Sequence, residues 1–271
     1  MSPLWRDEIG IYVAPHKLTL TRSARGLRPR SAGEAAWTNE FPGEAQWAPT
    51  LKALDVFLSQ PAWQKAVARV VIADNWVRYA MVPYSDALSG DAERMVQARH
   101  VLTGIYGEIV SQWTIRLSDS RPGLSAVASA LPSALVEELG SLLARHGIPL
   151  GSLQPQLVAS YNHWRAQLPD GGAWFVSIEQ GTLAAARLVR GGWDSVRSVR
   201  IGADWEVELR RLQTFGRLAS ATSQESSVYV DAPAGLRSVA DASVPGLVWL
   251  EESRATESTA GKLEFLRRHQ A

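Results

Sequence analysis

Residues 70–83 read VVIADNWVRYAMVP: an apolar run, a short polar break, and a second run that opens on arginine and closes on proline. Val70 to Ala73 and Val77 to Val82 are rich in β-branched and aromatic residues. Asp74-Asn75 supplies turn chemistry between them, so the stretch predicts a β-hairpin. Similar units flank it. Ile9 to Val13 and Leu18 to Thr21 pair through Ala14-Pro15-His16-Lys17. Trp174 to Ile178 and Leu183 to Val189 pair through Glu179-Gln180-Gly181-Thr182, and continue past Gly191-Gly192 into Val196 to Ile201.

Helical patterns lie between the hairpins. Thr50 to Leu58 is one; Ala92 to Trp113 is a longer one, with Asp91 as its cap and Met95, Ala98, Leu102, Ile105 and Ile109 near helical spacing. Ser133 to His146 sets Leu135, Leu139, Leu142 and Leu143 on one face and stops at Gly147. Leu157 to Arg165 is a short helix anchored by Trp164. Asp204 to Leu218 repeats Trp205, Leu209, Leu212 and Phe215 at three- and four-residue intervals. Gln112 to Leu117, Val228 to Val230 and Leu247 to Leu250 read as strands, and Gly26 to Pro49 as an irregular surface excursion.

A strand-turn-strand unit in each half, mixed with helices, predicts an α/β fold of two related lobes around a cleft. The first lobe is drawn at 1–165, with the irregular segment 26–49 inside it, and the second at 166–250; a charged tail covers 251–271.

With Lys+Arg 28 against Asp+Glu 27, the net charge of +1 gives no general pull toward nucleic acid or anionic lipid. Lys17, Arg22, Arg25, Arg28 and Arg30 form a local basic run, read as a solvated hairpin and loop ahead of a phosphate or lipid-headgroup patch. The absence of cysteine excludes disulfides, thiol catalysis and thiolate zinc sites. No signal-peptide pattern opens the chain and no apolar run approaches membrane-helix length, so the expected compartment is the cytoplasm.

Several stretches together resemble the actin-like superfamily, and within it the bacterial envelope-machine branch of the pilus assembly protein PilM, MshI and the cytoplasmic part of GspL. They are VVIADNWVRYAMVPYSDAL, IGIYVAPHKLTLTR, GIPLGSLQPQLVA, WFVSIEQGTLAAARL and VYVDAPAG. The resemblance implies a two-lobed actin-like, ribonuclease H-like fold. In active members two hairpin turns clasp nucleotide phosphates, an aspartate near each turn serving Mg²⁺ and glycines admitting the phosphate oxygens.

This sequence departs from that pattern. Tyr12 and Ala14 stand where the first turn's aspartate and glycine are expected, and Ser177 and Glu179 occupy the matching positions of the second. Tyr12 and Ser177 offer no carboxylate, and Ala14-Pro15 removes glycine freedom and one N–H donor. Glu179 and Asp7 are the residues that could rescue a metal site, and Gly181 keeps some turn freedom. Asp231-Ala232-Pro233, ahead of Gly235, thins the adenosine-side glycine turn. The expectation is a degenerate nucleotide site with no catalytic residue, no metal and no ATP/Mg²⁺ cofactor.

Other constellations are weaker. There is no Gly-x-Ser-x-Gly elbow and no Gly-x-Gly-x-x-Gly fingerprint, and His16, His100, His146, His163 and His269 lack metal-ligand spacing. Of the eleven tryptophans, Trp5, Trp37, Trp47 and Trp63 fall in poorly periodic stretches, read as anchors of loops and core, with a protein-contact role as the sharper alternative. Arg78, Tyr79 and Tyr84 are the candidate contacts for a partner strand added at a free edge of the hairpin.

The resemblance thus points to a non-catalytic cytoplasmic scaffold of a type IV pilus or type II secretion-like machine. Its partners would be the cytoplasmic tail of an inner-membrane protein and an assembly ATPase. The alternatives are an ATP-binding actin-like ATPase or kinase-like enzyme, and a nucleic-acid binder using Arg22, Arg25, Arg28 and Arg30.

Overall fold

The structure, a computed structural model, describes residues 7–24, 30–39, 46–88, 90–119, 122–170, 172–202, 205–218, 227–233, 236 and 246–251; for residues 30, 213 and 215–218 it describes the backbone alone. Two compact units emerge. The first holds the described residues of Met1–Trp76 and Ser133–Ala159, and the second holds those of Val77–Pro132 and Ser160–Glu251.

In the first unit, β1 (Asp7–Val13) and β2 (Lys17–Ala24) form the expected hairpin, with Ile11 opposite Leu20 and Val13 opposite Leu18. β1 also pairs in parallel with β4 (Ala66–Ile72), and β4 with β8 (Leu150–Pro155). β3 (Arg30–Thr38) adds to β2, giving the order β3-β2-β1-β4-β8. Part of the stretch read as an irregular excursion is therefore a strand. As an edge strand it needs only half its surface covered, so small residues such as Ser31, Ala32 and Gly33 suffice and leave a weak β signal.

Against this sheet α1 (Ala48–Leu58) packs on β2 and on α3 (Ser133–Arg145). Leu51, Leu54 and Leu58 of α1, and Leu135, Leu139, Leu142 and Leu143 of α3, are buried, as their three- and four-residue spacing predicts. The β4–β8 register shifts by one residue between Ala68 and Arg69, leaving Gly151 as the extra residue. A Cβ at Gly151 would approach Val67 Cγ1 to 2.7 Å and the Ala68 carbonyl oxygen to 3.3 Å, so glycine is required there.

The quoted stretch is not a hairpin. β4 is a central parallel strand, whereas β5 (Arg78–Val82) belongs to another sheet, where it pairs with β7 (Ala126–Pro132). The physical reason lies in the apolar run itself. Val70, Val71 and Ile72 are all buried, so both faces of β4 are covered, as a central parallel strand demands and a solvated hairpin does not. Asp74, in the 3-10 turn Asp74–Trp76, is buried and accepts the Leu157 N–H at 3.0 Å. Its turn chemistry is spent capping α4 (Gln156–Trp164), which passes from the first unit into the second at Ala159/Ser160.

The second unit repeats the sheet plan. β9 (Ala173–Glu179), β10 (Thr182–Val189) and β11 (Gly192–Arg200) form an antiparallel meander. β12 (Ser227–Asp231) and β13 (Leu247–Trp249) extend it in parallel, giving β11-β10-β9-β12-β13. Trp174, Val176 and Ile178 of β9 meet Trp205, Leu209 and Leu212 of α5 (Trp205–Leu218) in one core. The side chain of Phe215 lies outside the described residues.

Val77–Pro132 contributes a smaller sheet, ordered β5-β7-β6 with β6 at Trp113–Leu117, covered by α2 (Asp91–Tyr106). The helix expected over 92–113 stops earlier. Gly107 takes φ +77°, ending α2, and a 3-10 turn leads to Trp113. Ala98 and Leu102 are buried as expected, but Ile105 and Ile109 are 59% and 44% exposed. Asp91 is the first helical residue rather than the cap, which is Gly90.

Candidate functional site

The β1–β2 turn is closed by its own chain. Ala14 is buried; its N–H donates to the Lys17 carbonyl at 2.9 Å, and its carbonyl accepts from Lys17 N–H at 3.4 Å and from the Thr50 hydroxyl of α1 at 3.0 Å. The carbonyls of Pro15 and His16 accept from the Asn39 side chain at 3.3 Å and the Asn39 N–H at 2.8 Å. Pro15 has no N–H to give. Burial, and then the charge of Lys17, hold the His16 imidazole below its usual pKa. Tyr12 sits half-buried opposite Thr19 and Val71. Neither Thr50 nor Asn39 was singled out from sequence: each reaches the turn from a distant part of the chain.

The β9–β10 turn is built differently. Gln180-Gly181 joins Glu179 to its cross-strand partner Thr182, and Gly181 takes φ +80°, which favours glycine. The Gly181 carbonyl accepts the Ile201 N–H at 3.1 Å, tying the turn to the end of β11. Beside it opens a recess of about 560 Å³, lined by Glu179, Gly181, Ile201, Gly202, Trp205 and Pro233 among others. Glu179 is only 6% exposed, and a Cβ built on Gly202 meets nothing within 4 Å.

Ser177 lies two residues before Glu179 on β9, opposite Ala184 and Asp231. It is 1% exposed, and its Oγ has no hydrogen-bond partner among the described residues. Asp231, at the end of β12, accepts a short hydrogen bond from the Ser160 hydroxyl of α4. Sequence reading did not mark Ser160, because only the folded sheet brings it to a residue 71 positions away. Gly235 lies outside the described residues. The structure thus gathers Ser177, Glu179, Gly181 and Asp231 at one end of one sheet, and Tyr12 and Ala14 at the turn of the other.

Arg78, Tyr79 and Tyr84 do not form one contact surface. Tyr79 is 5% exposed and its carbonyl accepts the Tyr106 hydroxyl at 3.2 Å. Arg78 is half-buried and donates to the Val77 carbonyl at 2.9 Å, and β11 lies against β5. Tyr84, past the end of β5, is exposed and hydrogen-bonds Asp86, which raises its phenol pKa.

The basic run is also partly structural. Arg22 pairs with Asp7 at 2.7 Å and donates to the carbonyls of Ala62 and Gln64. Arg25 and Arg28 lie outside the described residues, as do Trp5 and His269. Asp7, a possible replacement metal ligand, is therefore engaged by Arg22. Trp63 is core, and Trp47 Nε1 donates to Glu138 at 3.0 Å.

No protein-family model matches the chain, and no curated protein matches it by sequence. Its fold is that of the actin-like ATPases: a Bacteroides thetaiotaomicron protein of that fold superposes with a TM-score of 0.57 at 10% identity, over 85% of this chain and 84% of its own. Within that fold it resembles two envelope-machine proteins. A chain of the PilM–PilN type IV pilus biogenesis complex superposes with a TM-score of 0.67 at 15% identity, over 90% of this chain and 88% of that one. The cytoplasmic domain of EpsL, an inner-membrane component of the type II secretion system of Vibrio cholerae, gives 0.57 at 10% identity, over 96% and 93%. No helix among the described residues is long and apolar enough to cross a membrane.

Proposed function

We propose that this chain is a non-catalytic scaffold of a type IV pilus or type II secretion-like envelope machine. It binds the cytoplasmic tail of an inner-membrane partner and is held at the membrane's cytoplasmic side through that partner. An assembly ATPase is a second candidate partner. The observation that carries the reading is the closed β1–β2 turn, in a fold whose comparison structures include components of such machines over nearly their whole length.

A magnesium-bound triphosphate needs carboxylates for the metal and free N–H groups for the phosphates. The residues present do not fit one. Tyr12 and Ser177 supply no carboxylate, the Ala14 N–H is spent on Lys17, and Pro15 has none. Among the described residues, no three His, Asp or Glu side chains stand together as metal ligands. We therefore assign no catalytic step to the site.

The test is recovery of partners from the native cell envelope with the tagged full chain as bait. An inner-membrane assembly protein is the expected product; recovery of none, with normal envelope assembly after deletion of the gene, would refute the scaffold reading. One feature favours the alternative of an ATP-binding enzyme, the recess beside Glu179. Calorimetry decides it: micromolar Mg·ATP binding lost in Glu179→Ala would replace the scaffold with an actin-like ATPase or kinase-like enzyme.

A further inference from the structure

We draw no further inference here: the strongest candidate, the side-chain cluster at the end of the second sheet where the buried Ser177 hydroxyl stands beside the Ser160–Asp231 hydrogen bond, belongs to the site already described.

Discussion

The two large sheets share one plan and differ in the chemistry of a corresponding turn. β3-β2-β1-β4-β8 and β11-β10-β9-β12-β13 each run as an antiparallel meander extended by two parallel strands. The order is kept, but the loop chemistry is not. At the β1–β2 turn, Thr50 and Asn39 fasten the backbone and Pro15 removes a donor. At the β9–β10 turn, Gly181 keeps a left-handed backbone and a recess stands open beside it. A sheet's order is fixed by which strands bury which faces, whereas a turn answers to a few local hydrogen bonds. The second can change while the first persists.

The comparison breaks most readily at the cores. Phe175, fully buried on β9 and edge-on to Tyr161, should cost about 3–5 kcal/mol on replacement by alanine. Leu20→Ala on β2 should cost about 2–5 kcal/mol. Urea denaturation followed by indole fluorescence measures both, and a loss under 1 kcal/mol at either site would contradict the packing described.

Next comes the register shift between the parallel strands β4 and β8. Gly151→Ala forces the bulge against Val67 and the Ala68 carbonyl and should cost about 1–3 kcal/mol. The corresponding parallel pair of the second sheet, β12 with β13, has no such shift and no glycine in either strand. A neutral Gly151→Ala would mean that β8 pairs in another register.

The turns then separate. Thr50→Val takes a donor from the buried Ala14 carbonyl and should cost about 1–3 kcal/mol. Gly181→Ala places a Cβ at φ +80° and should cost about 1 kcal/mol. If Gly181→Ala proved the costlier of the two, the first turn would not be the more tightly fastened.

The smallest effect is in pH. The His16 imidazole is held below its usual value near 6.5, so the unfolded chain binds a proton more readily than the folded one. Its contribution to stability is full above about pH 6.5 and falls as pH drops toward the folded value. His16→Gln should flatten the stability–pH curve between pH 7 and 5, and NMR titration should place the His16 midpoint below the ordinary imidazole value.

What could be read from sequence was whatever repeats at a fixed period. α3 announces itself through Leu135, Leu139, Leu142 and Leu143, and both hairpins through strand alternation about short turns. β7 escaped notice because Ala126, Ala128 and Ala130 fill a tight space under α2 with small residues that carry little β signal. β4 and β5 were joined because two apolar runs around Asp74-Asn75 look alike whether they pair or part. The hydrogen bond from the Leu157 N–H, 83 residues away, shows what Asp74 does. The candidate turns were legible as turns. Thr50, Ser160 and Gly202 were not, since their meaning comes from neighbours that only folding supplies.

The fastening of Ala14 bears on what this turn could be changed to accept. A single substitution toward glycine would leave Pro15 without a donor and the Thr50 hydroxyl still aimed at the backbone; removing the hydroxyl first strips a bond from a carbonyl that water cannot reach. A phosphate cradle at this turn would therefore need several coordinated changes, none of which supplies a free donor by itself.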